Sequence, residues 1–149
     1  MTRVERTVPA KADDVFAVLA DGWSYAAWVV GNSHVRDVDP EWPAVGSRLH
    51  HRTGAWPLQV QDITVVRAIE PGRYLGLEAR LWVFGAACIE LTLEPVPGGG
   101  TRVVMEERAI SGPIKAIPHP ALAAVLKPRN KEALARLADL ATGRGTTLR

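Results

Sequence analysis

The sequence is poor in the residues that staple small domains or hold metals: its 149 residues include one cysteine, Cys88. A lone cysteine forms no internal disulfide, and it excludes both a cysteine zinc site and a C-x-x-C redox pair. Phenylalanine and tyrosine are scarce as well, two of each, so aromatic bulk rests mainly on five tryptophans. Long apolar runs are missing. The longest, residues 81–89, stands between Arg80 and Glu90 and falls far short of the roughly 20 residues a membrane helix needs. Arg3, Glu5 and Arg6 occupy the place where a signal peptide would carry its apolar core. The expectation is a cytoplasmic protein in a reducing setting, without stable membrane insertion.

Motifs that mark common enzymes are absent too. No G-x-S-x-G elbow surrounds Ser24, Ser33, Ser47 or Ser111, and there is no H-E-x-x-H, Walker loop or G-x-G-x-x-G. The Pro97 to Gly100 segment joins two predicted strands and precedes no helix, so it reads as a hairpin turn. His50 and His51 are adjacent, and neighbours on a strand point to opposite faces, so they cannot chelate one metal together. No metal and no cofactor are expected, and hydrolase, kinase and nucleotide-binding readings fall away.

Charge of one sign is also lacking overall, since 18 Lys and Arg face 16 Asp and Glu. The balance is uneven along the chain: residues 112–149 hold seven cations and two anions, while residues 1–111 hold eleven and fourteen. At the basic end Lys127, Arg129, Lys131 and Arg136 alternate with Glu132, Asp139 and many Ala and Leu. That is the solvated face of an amphipathic helix, with Arg144 suited to a helix C-terminus, and no nucleic-acid partner is expected.

What is present is periodicity. A chain this long fits one domain of roughly 100–150 residues, and no repeat or linker divides it, so residues 1–142 are expected to form a single domain followed by a short tail, 143–149. Thr2–Val8 reads as a strand, and Ala12–Ala20 as a helix with Asp13 and Asp14 in its first turn. A second short helix is expected over 23–29. Six strand-like runs follow, at 33–38, 46–53, 58–69, 73–82, 84–94 and 101–110, separated by Pro and Gly turn signals. Short connections imply antiparallel pairing. Alternation in the last two runs, with Ala87, Ile89, Leu91 and Leu93 on one parity and Val103, Met105 and Glu107 on another, gives the sheet one apolar face. Residues 120–141 return to the helical period, placing Leu122, Leu126, Ala133, Leu137 and Leu140 on one stripe, Leu134 and Ala141 at its edge, and Pro128 on the outer side.

One long helix must therefore cover one wet-sided sheet. The expected fold is α+β: a curved seven-stranded antiparallel sheet wrapped around a long C-terminal helix, with two short helices after the first strand. The run from Val8 through Asp13, Asp14, Val15 and Phe16 to Asp21 joins three further features: Trp28 followed by Val29, Val30 and Gly31, then Val45, Gly46, Ser47 and Arg48, and the closing Arg129, Asn130, Ala133, Leu134 and Leu137. Together these resemble the polyketide cyclase/dehydrase and lipid-transport (SRPBCC) family of the START/Bet v 1-like helix-grip superfamily. The resemblance spans residue 4 to about residue 141. It implies a space between sheet and helix and leaves open lipid carriage, hormone or quinone-type binding, polyketide cyclisation and chaperone-cofactor roles.

Polar residues on the expected apolar face are the candidates for chemistry, because a buried polar group needs a partner or a ligand. His51 shares parity with Leu49, although an edge-strand position is also open. Glu107 shares parity with Met105, and one bulge would exchange it with Glu106; facing inward, it would have Arg52 or Arg36 as a partner. Asn130 falls about 30° from the centre of the helical stripe, to line the cavity or to answer a backbone group freed by Pro128. Trp28, Trp56 and Trp82 would supply aromatic walls, Tyr25 a hydroxyl, and Leu126 and Leu134 apolar lining. The loops at 111–120 and 39–46 would sit at the mouth.

The leading expectation is binding of a hydrophobic small molecule, a lipid, polyketide or aromatic, by a monomer or homodimer. The alternatives are a polyketide aromatase/cyclase or dehydratase using His51 and Glu107 as acid and base, and a protein-partner module working through its outer sheet face.

Overall fold

Hairpin connections too short for crossovers fold the middle of the chain into one antiparallel sheet. A computed structural model describes residues 1–30, 32–53 and 60–147. In chain order it contains β1 (Thr2–Val8), α1 (Ala12–Ala20), a 3-10 turn (Gly22–Ser24) running into α2 (Tyr25–Trp28), then β2 (Asn32–Val38) and β3 (Arg48–Thr53). There follow β4 (Val60–Glu70), β5 (Tyr74–Arg80), β6 (Ala86–Pro95), β7 (Thr101–Ser111) and α3 (His119–Thr147). The seven strands are ordered β1-β7-β6-β5-β4-β3-β2. Because β1 and β2 lie at opposite edges, α1 and α2 carry the chain across the sheet between them.

Register shifts in β2–β3, between Val66 and Ala68 of β4, and at Ala86/Ala87 bend the strands. Bulges increase local twist and curl a sheet, and here the curl makes one face concave. That face carries the fully buried Leu75, Leu91 and Val103. The opposite face is wet: Glu78 pairs with Arg67 and Arg80, both at 2.9 Å, and Glu94 pairs with Arg102. The one-sided sheet expected from alternation is therefore the observed one.

Helix α3 lies over the concave face. Its buried residues are Leu126, Asn130, Ala133, Leu134, Leu137, Ala138 and Ala141, while Leu122 and Leu140 are only half-buried. The buried stripe is thus rotated toward Leu134 and Ala138, because α1 meets the helix there through Val15, Val18 and Leu19. Pro128 is exposed, on the side expected for it.

The run expected to continue as a strand to residue 82 instead breaks after Arg80. Residues Trp82–Phe84 form a 3-10 turn, followed by Gly85 at φ 113°. Gly85 packs backbone to backbone against Gly112, whose φ is 79°, and a Cβ on either would overlap the other. The contact ties the β5–β6 connection to the segment after β7, which carries a second 3-10 turn, Pro113–Ala116. Among the described residues no helix is long and apolar enough to cross a membrane.

Candidate ligand-binding site

Where the concave sheet curves away from α2 and the first half of α3, a cavity of about 100 Å³ remains. Its walls are mostly apolar. The sheet contributes Leu49, Leu77, Ala79, Ile89, Leu91 and Met105, α2 and the residues after it contribute Tyr25, Trp28, Val29 and Val30, and Leu126 and Ala133 come from α3. Ile114 is the residue that the 111–120 segment brings to the wall, with Leu81 from the segment after β5. The other segment expected at the mouth, 39–46, contributes nothing to the lining. Its Trp42 is buried against Tyr25 at 5.5 Å, edge to face, and donates Nε1–H to the Leu19 carbonyl at 3.2 Å.

Five polar side chains interrupt this surface: His51, Thr64, Glu107, Arg129 and Asn130. Glu107 follows Val103 and Met105 on the inward parity of β7, so its carboxylate enters the core at 5% exposure. Such a charge survives burial only if paired and hydrogen-bonded. The pairing comes from α3: Asn130 Nδ2 donates to Glu107 Oε1 at 2.9 Å, and Arg129 Nη2 donates to Oε1 at 3.2 Å and to Oε2 at 3.4 Å. Neither Arg52 nor Arg36 is the partner of Glu107. The cation is Arg129, which the helical pattern assigns to the solvated face. Its long side chain, 34% exposed, reaches back from the rim to the carboxylate.

His51 lies on β3, with three strands between it and β7, buried at 7% exposure, with a ring nitrogen 2.9 Å from Thr64 Oγ1. Burial first, then the cation of Arg36 and the neighbouring His50, lower its pKa to about 4. The ring is therefore neutral at neutral pH, as befits an imidazole surrounded by Leu49 and Leu77. Asp62, its cross-strand neighbour, is buried as well.

Tyr25 lines the cavity, its ring centroid 4.8 Å from that of Trp28 and tilted 54° to it. Its hydroxyl is already committed, donating to the Leu19 carbonyl at 2.8 Å, and burial raises its pKa. The hydroxyl expected to meet a ligand is thus spent on closing the α1 terminus. Trp28 is 1% exposed, and its indole Nε1–H has no acceptor among the described residues. Leaving a buried donor unpaired costs about 1–3 kcal/mol, so this one stands out in a cavity wall.

Of the apolar candidates, Met105 and Leu126 line the cavity, while Leu134 does not. It is buried at 1% exposure in the packed core, because one helical step past Ala133 turns it away from the cavity. Trp56 lies outside the described residues, as does the side chain of Trp82. Arg129 and Thr64 are the polar lining residues that sequence reasoning passed over, and apolar ones such as Leu77, Ala79 and Ile114 were not among its candidates either. The Glu107–Arg129 pair joins residues 22 apart in sequence, and no local spacing announces it. Among the described residues no group of three His, Cys, Asp or Glu is placed to hold a metal ion.

Comparison with known proteins matches this architecture closely. The Zhui aromatase/cyclase from Streptomyces sp. R1128 superposes with a TM-score of 0.70 at 20% identity, covering 96% of this chain and 93% of that one. A protein of Nitrosomonas europaea gives 0.73 at 13% identity over 97% and 95% of the two chains. The di-domain ARO/CYC StfQ from the steffimycin biosynthetic pathway gives 0.71 at 12% identity, with 97% of this chain matching 52% of that one. At such identities the likeness is one of fold. No curated protein matches the chain in sequence. The family described as polyketide cyclase / dehydrase and lipid transport matches residues 1–142, and the chain belongs to that family.

Proposed function

We propose that the protein binds a hydrophobic small molecule in the cavity between the concave sheet and the first half of α3. The observation that carries this reading is the wall itself. Apolar side chains from the sheet, α2 and α3 enclose an unfilled space of about 100 Å³, and five polar side chains of the wall are held by partners within it or beside it. Burying an apolar ligand there contributes roughly 25 cal/mol per Å² removed from water, while polar groups fix its orientation. Family membership supports a ligand-binding or cyclase role. Native mass spectrometry of freshly purified protein tests the reading: it should show a bound apolar molecule that leaves on denaturation. Bare polypeptide in every preparation, with no uptake of added benzene, would overturn it.

Ring-closing catalysis in the same cavity is the second reading, favoured by His51 and Glu107 facing one space and by the shared fold with aromatase/cyclases. A cavity that holds a poly-ketone in one bend would act by orientation. The weak point is the base. General-base catalysis is most effective when the pKa lies near the operating pH, and His51 at about 4 is a poor proton acceptor at neutral pH. Turnover of a model poly-ketone that falls about 100-fold in His51→Ala would establish the catalytic reading over simple binding.

A further inference from the structure

This inference rests on the binding reading and concerns what the cavity selects. Its polar groups can be accounted for one at a time. Tyr25 Oη–H is spent on the Leu19 carbonyl, and His51 and Thr64 engage each other. Asn130 Nδ2 is spent on Glu107 Oε1. Arg129 reaches Glu107 from the rim, where its remaining donors meet water. A carboxylate offers about four acceptor sites, yet among the described residues Glu107 Oε2 receives only the 3.4 Å contact from Arg129. Trp28 Nε1–H also lacks an acceptor among the described residues, but the atom is fully buried and gives a ligand no donor.

Charge and size narrow the class further. Glu107 is already neutralised by Arg129, so a charged ligand would leave the buried pair with an unbalanced third charge. A volume of about 100 Å³ is smaller than the roughly 150 Å³ engineered cavity that takes up benzene. That excludes a long acyl chain or several fused rings unless the walls move.

We infer that Glu107 is the specificity residue of the cavity, selecting an uncharged ligand about one ring in size that gives a hydroxyl hydrogen to its carboxylate.

Titration calorimetry of the full chain with benzene, anisole, phenol and benzoate tests this. Benzene and anisole offer no hydroxyl hydrogen, phenol offers one, and benzoate brings a charge. Phenol should bind at least about tenfold tighter than benzene or anisole, with benzoate weakest. In Glu107→Gln an amide NH₂ can replace Oε2, a donor where an acceptor is needed, and the phenol-to-benzene ratio should fall to about threefold or less. Equal binding of phenol and benzene would overturn this role of Glu107 yet leave the apolar-cavity reading standing. Tightest binding of benzoate would overturn it by making Arg129 the contact. Binding of none would overturn both. The wild-type series decides the matter even if a variant fails to fold.

Discussion

The two halves of α3 face the same sheet and do opposite things. Beyond Ala133 the helix is packed: Leu137 and Ala141 are fully buried, and Leu134 and Ala138 nearly so, in one core with the equally buried Val15, Val18 and Leu19 of α1. Small residues at this end let the helix sit close. Before Asn130 the helix carries the exposed Pro128, turns Leu126 toward an unfilled space, and ends its contact in an ion pair. One element thus passes from a packed core to an open cavity along its length, and the rotated stripe, with Leu134 in the core and Leu126 on the cavity wall, marks the change.

The sharpest way to break this contrast is truncation at matched positions. Leu137→Ala in the packed half should cost about 2–5 kcal/mol, the range for buried leucines whose cavity cannot collapse. Leu126→Ala should cost clearly less and admit larger rings. Denaturant midpoints read both, and equal losses would erase the distinction between the halves.

The cavity end should also be the acid-sensitive one. His51 has a folded pKa of about 4, pushed down by burial and by Arg36 and His50, against an unfolded value of about 6.5. The unfolded chain therefore binds the proton first. The stability held by neutral His51 is complete above about pH 6.5 and is lost as pH falls toward 4, by on the order of 3 kcal/mol in all. Thermal unfolding across that window should be flatter in His51→Gln than in the wild type.

Glu107→Ala strands the amide of Asn130, while Arg129, already at the rim, can turn to water. The expected loss is about 2 kcal/mol, accompanied by weaker binding of hydroxylated ligands, whereas Leu137→Ala should lower stability without changing that preference. The smallest effect belongs to the outer surface. Glu132→Gln removes an exposed i,i+4 pair with Arg136 at 3.1 Å, worth about 0.3–0.5 kcal/mol, and ligand affinity should not move.

Much of this was legible from short-range pattern. Period-two alternation in β6 and β7 placed Leu91, Val103 and Met105 on the buried face, and turn signals separated seven strands in the observed order. What pattern could not supply was contact across the fold. Arg129 reads as surface on a helical wheel and is drawn back only because Glu107, on a distant strand, needs a cation. Leu134 reads as part of the binding wall until the packed core is seen to enclose it. The Tyr25 hydroxyl looks available until the Leu19 carbonyl appears beside it. The break of β5 at Arg80 follows from the Gly85–Gly112 contact, a pairing between two loops that neither sequence segment reveals alone.

The central claim is that the unfilled space beside Leu126 and Asn130 is the binding site. Ala79 lines it from the sheet and is 8% exposed, so Ala79→Leu would fill it from within. Calorimetric titration of benzene into wild type and Ala79→Leu tests the claim most directly. Saturable binding in the wild type and none in a folded Ala79→Leu is the predicted result; identical isotherms in the two proteins would contradict it.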